Sequence, residues 1–354
     1  MRRTITTAVI LAAFLAGPVL ADREYSFKNQ DSFDGGKIAT IRIDMPRGEI
    51  ELTGSTSDQI EIDFKNVIYA DDQDDADDIN EDCSYKTEVV GDNLKITIDL
   101  PRYTRKKGVL KRLLSGDWDE EINSYLRIKV PRGKNVEVKS SSADIEVSGI
   151  AVNLDVWASS TDVRMKDTDG EVSLDLSSGD VDIIRHKGDV NIKGNSSDLD
   201  FEAIEGNIDI RTSSGDGSLN GVKGPVSIYA SSGDYRLYDI EGDFDIRTSS
   251  GDIYAIGVTG SIRAESSSGD IRLKELTSKE GDFDIESSSG DVTLEVSDSF
   301  EGSISLKSNS GSVNSRLSGE IESLSDSKLR GSIGNGNGRL RVSTVSGDIR
   351  IDRF

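Results

Sequence analysis

The stretch SSGDYRLYDIEGDFDIRTSSGD, residues 231–252, begins and ends on the same tetrapeptide, Ser-Ser-Gly-Asp. The tetrapeptide recurs on both sides with small variations, and each closing aspartate lies 18 residues after the previous one. The aspartates of this series are Asp144, Asp162, Asp180, Asp198, Asp216, Asp234, Asp252 and Asp270. Self-similarity at a fixed period predicts a repeat fold, in which each repeat is one unit stacked on its neighbours.

A glycine eight residues after each of the six aspartates from Asp162 to Asp252 gives the repeat a second fixed point. These glycines are Gly170, Gly188, Gly206, Gly224, Gly242 and Gly260. Apolar residues alternate with polar ones after both points, as in Val181 and Ile183 or Val190 and Ile192, and a further apolar residue such as Ile204 often lies six after the aspartate. Alternation over four or five residues is typical of a half-buried strand, so each repeat should contain two short strands and two turns.

Two strands per repeat fit either a hairpin meander or one turn of a parallel β-helix. The constant spacing favours the β-helix, because identical corners stacked about 4.8 Å apart must recur at identical intervals. We therefore predict an all-β, single-chain parallel β-helix (β-solenoid) with 18-residue coils over residues 140–354. After Asp270 the spacing lengthens around 277–279 and 297–299, and these extra residues should share one corner of the coil.

The chain begins with a predicted secretory signal peptide, residues 1–21. Arg2 and Arg3 precede an apolar stretch that is too short to span a bilayer, and small residues end at Ala21. The formal charge of the chain is −23, and losing the two arginines with the leader would make it −25. This charge argues against a general nucleic-acid binder. The single cysteine, Cys83, permits no internal disulfide, so we expect an acidic extracytoplasmic protein stabilised by its stacked core.

Residues 22–139 are expected to form an irregular, β-rich capping region. It contains an acidic run from Asp71 to Asp82, expected to be a short helix or a loop, and strands at 94–98 and 125–130. A basic segment, 102–118, mixes arginines and lysines with Leu110, Leu113 and Leu114. Its leucines would cap the open end of the solenoid, or its cations would contact an anionic membrane surface weakly.

Three stretches resemble a known family: GEIELTG at 48–54, YLRIKVPRG at 125–133 and VEVKSSSADIEVSG at 136–149, followed by the repeat. They are similar to bacterial secreted β-solenoid proteins that are described as candidate adhesins and carry a domain of unknown function. The resemblance covers nearly all of the mature chain. It implies a β-solenoid fold, and it implies surface adhesion or envelope scaffolding as the function.

The repeated aspartates are the first candidates for chemistry. Of twelve corner positions between 144 and 348, ten are Asp, and Ser312 and Leu329 are the exceptions. Stacked carboxylates suit Ca²⁺, but the Gly-Gly-x-Gly-x-Asp motif of calcium-binding β-rolls is absent. We therefore expect each aspartate to cap its own corner, and we predict no catalytic, cofactor-binding or metal-binding residue.

Two other sequence features give weaker indications of chemistry. Ser325 and Lys328 have the Ser-x-x-Lys spacing of penicillin-recognising enzymes, but their companion motifs are missing. His186, the only histidine, lies where other repeats have Ile or Val. The sequence predicts a non-enzymatic, periplasmic or secreted protein that acts as an adhesin-like or envelope scaffold, with an envelope component, glycan or protein as partner. The alternative is a carbohydrate-active enzyme, a polysaccharide lyase or hydrolase, on the same β-helix.

Overall fold

A computed structural model describes residues 23–101 and 122–354 of the chain. The predicted signal peptide and the basic segment 102–118 lie outside these residues, so both remain predictions. The chain divides into two compact units, Met1–Arg164 and Met165–Phe354. Each unit contains two β-sheets, named A1 and B1 in the first unit and A2 and B2 in the second.

The first unit is built from ten strands in two sheets, with antiparallel strands at one side of each. Sheet A1 contains, in spatial order, β1 (Arg23–Asp34), β4 (Gln59–Ala70), β7 (Ile122–Val130), β3 (Arg47–Gly54) and β9 (Ser142–Ser148). Sheet B1 contains β5 (Ser84–Val90), β6 (Asn93–Asp99), β2 (Thr40–Asp44), β8 (Lys134–Ser140) and β10 (Val152–Ser160). Strands β3 and β8 each pair in parallel with both neighbours, whereas β1, β4 and β7 pair antiparallel, as do β5 and β6.

The acidic run forms a helix, α1 (Gln73–Glu81), and a short 3₁₀ helix spans Gly35–Lys37. The carboxylate of Asp72 caps α1 by accepting the backbone N–H of Asp75 at 2.9 Å. Ala76 and Ile79 are buried against Ile68 of β4. One apolar side therefore holds an otherwise acidic helix to the sheet.

Side chains from β1 and β5 link the outermost strands of A1 and B1. The Tyr85 hydroxyl and the Thr87 hydroxyl both donate to Asp31 Oδ2 at 2.9 Å, and the Tyr85 ring stacks on Phe64 at 5.2 Å between centroids. Burial, with the nearby Asp31 charge, raises the pKa of Tyr85. These contacts tie the outer strand of A1 to the outer strand of B1.

The second unit confirms the predicted parallel pairing of repeats. Sheet A2 contains β11 (Val163–Asp169), β13 (Val181–Lys187), β15 (Leu199–Glu205), β17 (Gly217–Lys223), β19 (Tyr235–Glu241), β21 (Ile253–Val258), β23 (Ile271–Leu276), β25 (Val292–Val296), β31 (Ile349–Arg353) and β27 (Val313–Ser315). Sheet B2 contains β12 (Val172–Ser178), β14 (Val190–Ser196), β16 (Ile208–Ser214), β18 (Val226–Ser232), β20 (Phe244–Ser250), β22 (Ile262–Ser268), β24 (Asp282–Ser287), β30 (Gly338–Thr344), β26 (Gly302–Ser308), β29 (Lys328–Ile333) and β28 (Glu320–Ser325). Residues 18 apart face each other, as Val190 faces Ile208 in B2 and Val181 faces Leu199 in A2.

The predicted inward residues form the core. Both alternating pairs are buried in repeat after repeat, and so is the residue six after the aspartate, for example Ile204, Val222 and Ile240. The preceding residue has a positive φ even where it is not glycine, 54° in Arg185 and 57° in Ala203. This left-handed residue shifts the alternation by one and turns the next side chain inward.

The order of the last coils differs from the predicted sequential stacking. Strand β24 pairs with β30 rather than with β26, and β25 pairs with β31 rather than with β27. The C-terminal coil, β30 and β31, thus inserts between two coils that precede it in the sequence. Spacing alone does not encode this order, because coils with the same apolar pattern fit either slot.

The sequence placed Leu329 at a corner of the coil, but the structure does not. It lies in β29, which pairs antiparallel with both β26 and β28. A hairpin thus interrupts the repeat where the periodicity fails. The extra residues at 277–279 and 297–299 both lie where an A2 strand connects to a B2 strand, as predicted. One continuous solenoid over 140–354 remains a prediction.

Candidate binding face

The outward side of sheet B2 carries charged and aromatic side chains in register across its strands. Tyr229 of β18 faces Arg211 of β16 on one side and Arg247 of β20 on the other. Each guanidinium carbon lies over the tyrosine ring, at 5.7 Å for Arg211 and 5.2 Å for Arg247. Cation–π contacts of this kind hold the three side chains together as one cluster on the sheet surface.

The arginines of this face are also ion-paired. Arg247 contacts Asp245 at 3.0 Å and Glu265 at 3.8 Å, and Arg263 contacts Glu265 at 2.7 Å. Arg341 contacts Glu286 at 3.2 Å. Pairs this exposed contribute little to stability, roughly 0 to 1 kcal/mol each. Their main effect is to hold a network of fixed charge on a rigid sheet.

Two shallow grooves run across this face. The first has a volume of about 520 Å³ and is lined by Tyr229, Arg247, Glu265 and by serines and threonines near the corners. The second, of about 430 Å³, is lined by Asp245, Arg263, Asp284, Arg339 and Arg341 among others. Both volumes lie in the usual range for small-ligand sites, although these linings are far more polar than usual.

The corner aspartates form a ladder of hydrogen bonds. The carboxylate of Asp198 accepts the backbone N–H of Asp216 at 2.9 Å, and the carboxylate of Asp216 accepts that of Asp234 at 2.8 Å. The series continues through Asp252, Asp270, Asp291, Asp348 and Ser312, in the order of the stacked coils. Each aspartate therefore caps the next corner and not its own, which corrects the expectation from the sequence.

The end of the ladder changes the pKa of Asp348. The backbone N–H and the hydroxyl of Ser312 both donate to its Oδ1, at 2.7 and 3.0 Å, and lower its pKa. Glycines complete the corners, because a side chain at Gly251 would collide with the Gly233 carbonyl of the preceding coil and its φ is 146°. The repeated Gly-Asp thus has a structural cause.

Substituting one aspartate of the ladder should show whether its hydrogen bond or its charge stabilises the fold. We expect Asp216→Ala to lower the free energy of unfolding by about 1 to 2 kcal/mol, because the N–H of Asp234 loses its acceptor. Asp216→Asn keeps an acceptor oxygen and should cost less than about 0.5 kcal/mol. Urea unfolding of the three proteins tests this, and equal losses in both variants would show that the charge matters instead.

A second row of corner groups was not found from the sequence. Buried hydroxyls of Thr212, Thr248, Ser287, Ser308 and Thr344 occupy an inward position of B2. They bond to the backbone of the Ser-Ser-Gly corners, as Ser308 Oγ does to the Gly347 carbonyl at 2.9 Å. The signal was present as a recurring Thr or Ser six residues after the glycine, hidden in a serine-rich chain.

His186 lies in the core and not at a surface corner. It is 1% exposed, and its Nδ1 lies 2.9 Å from the hydroxyl of Thr168, its neighbour one coil earlier. Burial lowers its pKa, an effect that nearby Asp169 opposes only in part. His186 is therefore a neutral core residue, in the position that Ile204 and Val222 occupy in the next two coils.

The buried histidine should make stability fall in mild acid. A free histidine takes up its proton near pH 6.5. Because the folded pKa is lower, only the unfolded chain gains this proton as the pH falls, and stability drops by up to about 1.4 kcal/mol per pH unit below 6.5 until the folded pKa is reached. The double variant His186→Val/Thr168→Val should lack this slope. Identical slopes between pH 7 and pH 5 would contradict the assignment.

Ser325 and Lys328, the remaining sequence candidates, face each other across a hairpin turn. Ser325 ends β28 and Lys328 begins β29, so their motif lies in a hairpin and not at a helix start. Two aromatic side chains lie away from the grooves of B2: Trp157 is 42% exposed on B1 beneath Lys139, and Tyr238 packs edge-on against Tyr254 on A2. Within residues 23–101 and 122–354, no group of three or more His, Cys, Asp or Glu is arranged to hold a metal ion. No described helix is long and apolar enough to cross a membrane.

Parallel stacking, laddered corners and polar outward faces define a β-repeat protein of the solenoid type. The profile of the Toastrack DUF4097 family matches residues 38–237 and 185–352. The chain therefore belongs to the Toastrack DUF4097 family. A comparison with curated proteins gives no match.

Several solved structures are similar over most of their length. A candidate cell adhesion protein from Clostridium sporogenes is 10% identical, with 92% of this chain and 99% of that chain covered and a TM-score of 0.22. A candidate adhesin from Parabacteroides merdae is 10% identical, with 92% and 95% covered and a TM-score of 0.30. A candidate lipid binding protein from Parabacteroides distasonis is 15% identical, with 92% and 96% covered and a TM-score of 0.27. Overlays this poor carry no information about what the chain binds.

Proposed function

We propose that this chain is a non-enzymatic, extracytoplasmic β-solenoid that acts as an adhesin-like or cell-envelope binding scaffold. The observation that carries the proposal is the use of the corner carboxylates. Each carboxylate of the ladder that could have served a repeated metal or catalytic site instead accepts a backbone N–H of the next coil. The leader-like sequence of residues 1–21 supports export.

Binding is assigned to the outward face of B2. Its first groove combines the Tyr229 ring, the charged groups of Arg247 and Glu265, and many hydroxyls. Such a lining offers hydrogen-bond donors and acceptors without an apolar cavity, which suits a polyhydroxylated ligand such as a glycan of the envelope. The basic segment 102–118 is proposed as a secondary, weak contact with anionic membranes, or as a cap.

The enzymatic alternative has its best candidates in the same groove. Glu265 and Glu286 face each other on β22 and β24, and adjacent carboxylates are the equipment of glycosidases. Both are held by arginines, Glu265 by Arg263 and Glu286 by Arg341. Both side chains are thus engaged in ion pairs on the sheet surface rather than free in the groove.

A glycan panel incubated with the mature protein tests the proposal. We expect retention of one or more envelope glycans and no release of reducing or unsaturated ends. Glu265→Gln/Glu286→Gln should change the free energy of unfolding by less than about 1 kcal/mol. It should also leave the products unchanged, because we expect the wild type to release none. Product release by the wild type that disappears in this variant would establish the lyase or hydrolase instead. Cell fractionation with and without residues 1–21 tests export separately.

A further inference from the structure

Sheet B2 is longer than sheet A2 at one side of the second unit. Strands β26 and β27 belong to the same coil and pair with β30 and β31 in their respective sheets. Sheet A2 ends at β27, which has three residues, whereas B2 continues through β29 and β28. Strands β28 and β29 thus overhang the edge of A2, and the unit ends in a step.

The overhang exposes an apolar surface on the core side of the sheet. Ile321 faces Gly331 and Leu324 faces Leu329 across β28 and β29, and a bulge between them keeps both on one face. Leu329 on that face is only 7% exposed, but Ile321 is 56% and Leu324 is 65% exposed. Among the residues that the structure describes, no sheet lies opposite the core-facing side chains of edge strand β28. Proteins normally cover an edge of this kind.

We propose that this step is covered by the same step of a second copy of the chain, related by a two-fold axis. A step of this form is complementary to itself, because each overhang fills the space beside the partner's shorter sheet. Isologous contacts of this kind are the usual basis of a dimer. Ile321 and Leu324 of the two copies would then face each other and complete the core.

The charges around the step fit this arrangement. Strand β28 carries Glu320 and Glu322, both exposed, and Arg316 follows β27 at the edge of A2 with its side chain 76% exposed. In the two-fold arrangement β28 of one copy, with its two glutamates, lies beside Arg316 of the other copy, whereas Lys328 and Arg330 lie on the adjacent strand β29. Arg316 already pairs with Asp352 at 3.4 Å, so it is held in place for a second carboxylate.

The mass of the mature protein in solution tests the proposal. Light scattering or sedimentation should show a monomer–dimer equilibrium, and Leu324→Asp should abolish the dimer. At concentrations where the wild type is monomeric, the two proteins should have equal melting temperatures, because Leu324 is 65% exposed in the single chain. Val90→Asp is the matched control, since Val90 is 60% exposed on β5 and should not affect the dimer. A monomer at every concentration, open-ended oligomers, or a dimer lost in Val90→Asp would overturn the proposal.

A charge exchange distinguishes the step from non-specific association of apolar surface. Glu320→Lys/Glu322→Lys should shift the equilibrium towards monomer, because lysines would face Arg316 of the other copy. Adding Arg316→Glu should restore the dimer. If the triple variant is as monomeric as the double variant, Arg316 does not face these glutamates and the two-fold arrangement is wrong. Neither test depends on what the outward face of B2 binds.

Discussion

Ile246→Asp should lower the free energy of unfolding by about 4 kcal/mol or more, because it places a carboxylate in a thin apolar core. Ile246 is fully buried in β20, between Ile228 of β18 and Ala264 of β22. No cation is available at an inward position of these strands to pair with the new charge. Ile208→Asp, in β16, should behave in the same way.

The control is the outward neighbour in the same strand. Asp209 follows Ile208, points away from the core and pairs with Arg211 at 2.6 Å. Asp209→Asn should cost less than about 1 kcal/mol, since an exposed pair contributes little. Melting temperatures of the three variants, measured together, check the inward and outward assignment. Equal shifts for Ile208→Asp and Asp209→Asn would show that the assignment is wrong.

Gly217→Val should also be strongly destabilising, and a second substitution should rescue it. Gly217 replaces the apolar residue that other coils place after the corner aspartate, and the ring of Tyr235 fills the space it leaves. A Cβ on Gly217 would lie 2.5 Å from Tyr235 Cδ1. Overpacking of this kind costs about 1 to 3 kcal/mol.

A double-mutant cycle with Tyr235→Ile measures this compensation. Tyr235→Ile alone leaves a cavity above Gly217 and should cost about 3 kcal/mol. In Gly217→Val/Tyr235→Ile the valine fills that cavity, as Leu199 and Ile253 do in neighbouring coils, so we expect a coupling of about 2 kcal/mol. Additive losses would contradict the packing. Tyr235→Phe should be neutral or stabilising, because the buried hydroxyl has no hydrogen-bond partner within residues 23–101 and 122–354.

Periodicity predicted most of the repeat because backbone geometry controls it. A corner that stacks on an identical corner needs glycine for space and a short acceptor for the next N–H, and both appear in the sequence as Gly-Asp. The sequence could not show which corner each carboxylate serves. A side chain that bonds its own turn and one that bonds the next coil recur at the same spacing.

The sequence could not predict the order of the C-terminal coils, for a different reason. Coils 302–315 and 338–353 have the same apolar pattern, so either fits beside β24 and β25. Hairpin β28–β29 breaks the periodicity between them and lets the chain return in parallel. The signal in the sequence was the failure of the regular spacing after Ser312, and this failure does not specify an order.

The sequence predicted only part of the candidate binding face. Arg247 could be assigned to the outward side by alternation, but the Arg211–Tyr229–Arg247 cluster required the register of three strands. Likewise, His186 could be recognised as standing in an apolar position but not as buried beside Thr168. Residues from different coils meet only through the exact 18-residue stacking, so predicting sites on such a face needs the register first.

Binding to isolated bacterial cell envelopes by two matched variants tests the central claim most directly. Tyr229→Ala/Arg247→Ala alters the outward face of B2, and Tyr254→Ala/Arg272→Ala removes the same residue types from neighbouring strands on the outward face of A2. We expect the wild type and the A2 variant to sediment with the envelopes and the B2 variant to stay in the supernatant, with all three proteins equally folded. Retained binding by the B2 variant, or loss only in the A2 variant, would contradict it.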